Sequence, residues 1–251
     1  MVVAAGCGRL DFNAIGRGGP GDARTDGASA LGDGALVDSI SSGALCAESG
    51  VFCDGFESGD LSKWSGTAIS TNCTVAASKM YAHTGSYGLL GDTSGASSVA
   101  DFAEAYVTFT PRTTGMLAVR IWADAISVID QNAGVLELGA GVGDFSHALV
   151  IAATDERVWQ VSELYGDAQG DHPSTVSTAQ ATWMCFELDY TFGAPSQVAF
   201  YIDDVDAVTF AANDDAPTFS SLYVGAQRAT DSGAVMAIDD VVVASQHIGC
   251  D

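Results

Sequence analysis

Two acidic side chains, Glu187 and Asp189, stand two residues apart in the segment WMCFELDYT, residues 183–191. Alternate residues of a strand point to the same face, so the two carboxylates would lie side by side. Hydrolysis of a glycosidic bond with retention of configuration requires two glutamates or aspartates on opposite sides of the bond. The position four residues after Glu187, where the same strand face would carry a second glutamate, is Thr191. We therefore interpret the pair as the polar face of a strand whose other face is apolar.

Other catalytic patterns are absent from the sequence. It contains no Gly-x-Ser-x-Gly, no His-Glu-x-x-His and no phosphate-binding glycine loop. The four histidines show no metal-ligand spacing and there is no Cys-x-x-Cys, which argues against zinc. A polysaccharide lyase would need a base such as Tyr201 or His147 and a cation such as Arg120, and no spacing singles these out. The sequence assigns no catalytic residue and favours a protein that is not an enzyme.

Aromatic residues beside polar ones are the candidates for sugar binding, because aromatic faces stack on the C–H groups of sugar rings. Trp159, next to Gln160 and close to Glu163, is the first candidate, and Tyr165 is the second. The sequence predicts that these ligand-binding residues lie on a concave sheet. The alternative, that each strand aromatic belongs to the core, stays open.

The charge balance excludes several classes of partner. The 251 residues include 9 Lys and Arg against 32 Asp and Glu, a formal net charge of -23. Nucleic acid and anionic membrane surfaces both require a basic surface, so neither is an expected partner. The expected partner is a glycan or a surface protein.

The beginning of the chain predicts a membrane attachment. Residues 1–7, MVVAAGC, resemble a bacterial lipobox, and the resemblance implies that Cys7 carries the lipid. Residues 8–45 are rich in Gly, Ala, Ser and Asp without periodicity, which predicts a disordered linker. We expect residues 46–251 to form one domain at the bacterial cell envelope, lipid-anchored on its outer surface or periplasmic face, or otherwise secreted. The membrane would be contacted only through the lipid.

Short strands dominate the predicted domain. Their alternating or β-branched and aromatic residues are separated by Gly, Asp, Asn, Pro or Ser clusters. No stretch approaches the length of a membrane-spanning helix. The predicted strands are residues 105–110, 116–122, 135–138, 147–152, 158–164, 183–191, 198–202, 222–225 and 235–243. Such a series predicts an all-β fold, an antiparallel sandwich of two sheets or a jelly roll.

Cysteine usage favours an oxidising compartment. With Cys7 assigned to the lipid, an odd number remains, so one cysteine lacks a partner within the chain. The disulfide candidates are Cys46, Cys53, Cys73, Cys185 and Cys250. If the first and last strands are antiparallel, Cys250 comes near Cys46 or Cys53, which leaves Cys73 and Cys185 for a second bridge. Other pairings stay open.

Four segments resemble concanavalin A-like jelly-roll domains of the laminin G-like kind. These are CDGFESGDLSKW at 53–64, AHTGSYGLL at 82–90, the hairpin TWMCFELDYTFGAPSQVAFYIDD at 182–204 and AVMAIDDVVVAS at 234–245. The first and last also resemble galactose-binding-like carbohydrate-binding modules, which are jelly rolls as well. The resemblance implies the jelly-roll fold over roughly residues 53–245.

The resemblance also implies a structural calcium where the first and last strands meet. Glu57 and either Asp239 or Asp240 occupy the matching positions. Calcium binds six to eight oxygen ligands, which paired carboxylates and loop carbonyls supply. The alternative is that these acids face solvent from edge strands.

Three functions remain open from the sequence. The first is a non-catalytic carbohydrate-binding or adhesion domain on a lipid-anchored surface protein. The second is a divergent carbohydrate-active enzyme, either a glycoside hydrolase or a polysaccharide lyase. The third is a purely structural surface domain.

Overall fold

A computed structural model describes residues 50–96, 101–127, 133–165, 168–213, 217–227 and 233–250. The predicted lipidation site Cys7, the linker 8–45 and Cys46 lie outside these residues. Among the described residues, no helix is long and apolar enough to cross a bilayer.

One sheet has eight strands. They are β1 (Gly50–Asp54), β3 (Thr74–Ser78), β4 (Gly88–Asp92), β6 (Met116–Ala125), β11 (Met184–Thr191), β12 (Gln197–Ile202), β13 (Val205–Ala211) and β15 (Val235–Ala244). Their order is β13-β12-β11-β6-β15-β4-β3, and β1 also pairs with β15. The first and last strands are thus antiparallel neighbours.

The other sheet has seven strands. They are β2 (Gly66–Ile69), β5 (Phe102–Arg112), β7 (Ala133–Gly141), β8 (Asp144–Ala153), β9 (Val158–Tyr165), β10 (Ala168–Ser177) and β14 (Phe219–Gln227). Their order is β10-β9-β8-β7-β14-β5-β2, with every neighbouring pair antiparallel. The predicted two-sheet antiparallel sandwich is confirmed, and each predicted strand is present.

The core lies between the two sheets and is made by alternate residues of each strand. On β11 these are Phe186, Leu188 and Tyr190, all buried, while Glu187 and Asp189 point to the outer face of the eight-stranded sheet. Across the core, the Phe186 ring meets Trp159 of β9 edge-on with centroids 4.6 Å apart. Burying each large apolar side chain contributes about 1.5–3 kcal/mol to the free energy of folding. This contribution determines which face of each strand points into the core.

The disulfide pairing differs from the one suggested by the sequence. Cys185 on β11 is bonded to Cys250, with Cα atoms 5.9 Å apart. Cys250 does not pair near the start of the domain because the chain after β15 turns back over the outer face of the eight-stranded sheet. Cys53 is disulfide-bonded as well. Cys73 is buried, and its Sγ lies 3.8 Å from the carbonyl oxygen of Thr71.

Candidate functional site

A line of side chains, most of them polar or aromatic, crosses the outer face of the seven-stranded sheet. Core residues such as Leu222 and Val224 of β14 point inward, so their neighbour Tyr223 points outward. Successive cross-strand partners of Tyr223 then define one row perpendicular to the strands. We call it the cross-strand row, and it consists of Tyr106, Tyr223, Glu137, Val150, Ser162 and Asp171. With strands about 4.8 Å apart, the row is about 24 Å long.

Two carboxyl groups meet beside this row. Glu104 of β5 and Glu137 of β7 lie on opposite sides of β14. The residue of β14 that pairs with Glu104 is Gly225, which has no side chain to separate the two carboxyl groups. The Nε2 of Gln227 donates to Oε1 of Glu104 at 2.8 Å and to Oε2 of Glu137 at 2.9 Å. A Cβ on Gly134 would lie 2.5 Å from Oε1 of Gln227, so the glycine lets this amide reach both carboxyl groups.

Burial changes the acidity of this carboxyl pair. Glu104 and Glu137 are only 4% and 2% exposed. Desolvation raises the pKa of Glu137 to about 7, although the hydrogen bond from Gln227 lowers it in part. Desolvation and then repulsion from Glu137 raise the pKa of Glu104 well above its usual range. The pair therefore retains a proton near neutral pH, as closely spaced buried carboxyl groups do.

One oxygen of the carboxyl pair lacks a hydrogen bond from the described residues. Oε1 of Glu137 is buried and has no hydrogen-bond partner among the described residues. Buried polar atoms are nearly always hydrogen-bonded, so an orphaned oxygen marks a position where a ligand or water would be bound.

Two tyrosines occupy one end of the row. The rings of Tyr106 and Tyr223 are cross-strand neighbours with centroids 5.3 Å apart. A Cβ on Gly66 of β2 would lie 2.6 Å from Oη of Tyr106, so only glycine leaves room for the phenol there. The Oη of Tyr223 accepts a hydrogen bond from the backbone N–H of Gly143 at 3.0 Å. Burial is the main cause that raises the pKa of Tyr223, so this phenol stays protonated.

A hydrogen-bond chain occupies the other end. Gln160, one of the predicted ligand-binding residues, donates through Nε2 to Oγ of Ser162 at 2.9 Å. Ser162 donates in turn to Oδ1 of Asp171 at 2.8 Å, and Gln169 donates to the same oxygen at 3.0 Å. Asp171 is exposed, so this end of the row opens to solvent.

The other predicted binding residues do not join the row. Trp159 is 2% exposed in the core, so it is not the exposed aromatic that the sequence predicted: its strand position points inward. Glu163 is buried too, and it accepts hydrogen bonds from the backbone and side chain of Asn213. Tyr165 is 41% exposed, at the end of β9.

The predicted calcium residues all contact the loop between β3 and β4. Oδ2 of Asp239 accepts from the backbone N–H groups of His83 and Thr84, and Asp240 accepts from the Thr84 hydroxyl. Glu57 accepts from two further N–H groups of that loop. Burial and then repulsion from Asp240 raise the pKa of Asp239 to about 7.

Within the described residues, one group of three side chains has potential metal-ligand atoms within 4.8 Å of one another, namely Glu187, Asp189 and His247. The carboxylate oxygens of Glu57, Asp239 and Asp240 therefore do not all lie within 4.8 Å of one another. These three acids instead accept hydrogen bonds from backbone N–H groups and from the Thr84 hydroxyl of the loop between β3 and β4.

Sequence reasoning missed the carboxyl pair. Gln227 is 123 residues from Glu104 and 90 residues from Glu137 along the chain. No motif joins residues so distant. The signal available in the sequence was an acidic residue at an alternating position of an otherwise apolar strand, as in AEAYV and GVLEL.

Comparison with known proteins identifies the fold. The solved structures that are similar to this chain include the following three. The cellulose induced protein Cip1 has a TM-score of 0.64 and 19% identity, covering 80% of this chain and 100% of its own. An endo-β-1,4-glucuronan lyase from the fungus Trichoderma reesei has a TM-score of 0.60 and 13% identity, covering 78% and 95%. The alginate lyase Aly36B has a TM-score of 0.51 and 10% identity, covering 80% and 98%.

No protein-family model and no curated protein matches the sequence. The similar structures establish the jelly-roll sandwich and nothing finer.

Proposed function

We propose that the chain binds carbohydrate along the cross-strand row. The observation that carries the proposal is that Oε1 of Glu137 has no hydrogen-bond partner among the described residues. This oxygen lies in the middle of the row, between the tyrosine pair and the Ser162–Asp171 chain. Stacking surfaces next to fixed hydrogen-bonding groups are what a sugar ring requires. The names of the similar structures, a cellulose induced protein and two polysaccharide lyases, support a carbohydrate ligand.

A neutral glycan suits this face better than a polyanionic one. The net charge of -23 repels uronate chains. No Lys or Arg of the described residues takes part in the hydrogen bonds of the row or of the carboxyl pair. Protonated carboxyl, amide, hydroxyl and phenol groups instead offer both donors and acceptors to sugar hydroxyls.

The carboxyl pair favours a second candidate, a carbohydrate-active enzyme. Oε1 of Glu104 and Oε2 of Glu137 accept hydrogen bonds from the same nitrogen of Gln227, so they are no more than about 6 Å apart. This distance is close to the separation of the two carboxyl groups in retaining glycosidases. In such an enzyme the protonated member would act as the acid and the other as the nucleophile. Catalysis would require a glycosidic bond to reach both carboxyl groups, which are only 4% and 2% exposed, whereas binding also uses the half-buried Tyr106 and the exposed Asp171, so we rank binding first.

The test is binding of neutral and uronate-containing oligosaccharides to the wild type and to three variants. We expect Tyr106→Ala and Asp171→Ala to weaken binding about tenfold, the effect of losing one stacking or hydrogen-bonding group. Tyr165→Ala is the matched control, because Tyr165 is exposed but lies outside the row. Wild-type affinity in both row variants would contradict the proposal.

Release of new reducing ends or of unsaturated uronate from bound polysaccharide, lost in Glu137→Gln, would establish the enzyme instead. Absence of binding to every glycan would leave a structural surface domain.

A further inference from the structure

The last residues of the chain cross the outer face of the eight-stranded sheet, far from the cross-strand row. After β15 ends at Ala244, the chain returns to β11, where Cys250 is bonded to Cys185. The backbone N–H of Cys250 donates to Oδ1 of Asp204 at 2.8 Å. We call residues 245–250 the C-terminal strap. It brings His247 onto the polar face of β11.

Three potential metal ligands meet under the strap. Glu187 and Asp189 are alternate residues of β11 and share its outer face. Nδ1 of His247 lies 2.8 Å from Oδ2 of Asp189 and 3.2 Å from Oε1 of Glu187. One ligand atom from each residue lies within 4.8 Å of the others. Two ligands of a tetrahedral zinc ion, each about 2.1 Å from the metal, are about 3.4 Å apart, so small shifts would accommodate an ion.

The hydrogen bonds of the cluster leave one buried oxygen unsatisfied. Asp189 is 5% exposed, and its Oδ1 has no hydrogen-bond partner among the described residues. Nδ1 of a neutral imidazole carries at most one proton, so it cannot satisfy both carboxylates in full. A cation bound by the Asp189 carboxylate would use a lone pair that the described residues leave unused.

Backbone groups of the strap already orient one of these carboxylates. Ile248 donates its N–H to Oε1 of Glu187 at 2.6 Å, and Gly249 donates to Oε2 at 2.7 Å. Such outer contacts fix metal ligands in place. The Arg120 guanidinium donates to the carbonyl oxygens of Gly249 and Asp240, so its hydrogen bonds do not go to the Glu187 carboxylate.

We propose that Glu187, Asp189 and His247 bind one zinc ion. Two carboxylates and a neutral imidazole balance the charge of the ion, and the set is too small and too nitrogen-containing for calcium, which binds six to eight oxygens. The His247 side chain is 49% exposed, which leaves the fourth coordination position open to water. The ion would join the strap to β11 beside the disulfide.

The test is calorimetric titration of the chelator-treated full chain with zinc in excess calcium, which occupies nonspecific surface carboxylates. We expect one zinc equivalent per chain. His247→Ala and Asp189→Asn should weaken its binding at least tenfold, because losing even an outer contact of a metal site typically costs about that much. Asp189→Asn preserves side-chain size, so it tests the site even where His247→Ala loosens the strap.

His172→Ala is the matched control, because His172 also lies near a carboxylate, 3.9 Å from Glu163, but belongs to no group of three potential metal ligands among the described residues. It should bind zinc as the wild type does. Cobalt in place of zinc should give the intense visible absorption of a four-coordinate site, lost in both ligand variants. A wild type that binds no stoichiometric zinc, or ligand variants that match it, would overturn the proposal.

Discussion

At the scale of single residues, Glu137 combines deep burial and a raised pKa with an oxygen that no described residue hydrogen-bonds. Its carboxyl group prefers to be protonated in the folded chain, whereas in the unfolded chain it titrates near its ordinary value of 4.5. Between these values the folded state binds more protons than the unfolded state. Its contribution to stability is therefore full below about pH 4.5 and is lost as the pH rises through about 7.

Glu137→Gln should remove the part of the pH dependence that comes from Glu137, because glutamine stays neutral and its carbonyl still accepts from Gln227, while the part that comes from the burial of Glu104 remains. We expect the variant to exceed the wild type in free energy of unfolding by up to about 3 kcal/mol at pH 8, and by little at pH 4. Denaturant unfolding across this range is the measurement. Glu156→Gln, at an exposed turn position, is the control and should follow the wild-type profile. Parallel curves for Glu137→Gln and the wild type would show that Glu137 is charged when folded.

At the scale of elements, the C-terminal strap depends on the Cys185–Cys250 bridge, which links residues 65 positions apart. Besides this bond, the strap contacts the sheet through hydrogen bonds to Glu187, Asp189, Asp204 and Arg120.

Removing the bridge with Cys185→Ala and Cys250→Ala together should cost about 2–5 kcal/mol in denaturant unfolding, because the unfolded chain regains the freedom that a long closed loop loses. The strap should also become sensitive to proteolysis. Cys73→Ala, which removes a buried sulfur and leaves the bridge intact, controls for the loss of a cysteine from the core. Unchanged stability of the double variant would mean that the bridge adds nothing to the stability of the fold.

Strand prediction succeeded where burial controls the sequence pattern. β11 and β15 are buried along nearly their whole length and were recognised from their β-branched and aromatic residues. β10 was missed because it is an edge strand, reading AQGDHPSTVS, with Pro173 and little apolar content. An edge strand has no neighbouring strand on one side, where proline and charged residues are tolerated. The sequences of edge strands therefore resemble those of loops.

At the scale of the whole molecule, the sandwich brings both ends of the described chain together. β1 and β15 pair, and Glu57, Asp239 and Asp240 from these ends hold the loop between β3 and β4. The structural calcium that the sequence resemblance implies at these acids stays a prediction.

If calcium binds there, millimolar calcium should raise the thermal midpoint of the wild type, because an ion bound only by the folded state stabilises it. The rise should disappear in Glu57→Gln and Asp239→Asn. Asp155→Asn, an exposed acid elsewhere, should keep it. An unchanged thermal midpoint in calcium would exclude this ion.

The sequence by itself determined the fold class, because alternation of apolar and polar residues decides which faces are buried and needs only local information. It also identified Glu187 with Asp189 as an outward-facing pair, and Gln160 as a polar residue of β9. Only the tertiary structure decided which residues from distant parts of the chain these side chains contact. Gln227 bridges Glu104 and Glu137, and His247 reaches β11, through contacts between strands and segments far apart in the chain. Strand order and the return of the C-terminal strap set those contacts, and neither is encoded in residue spacing.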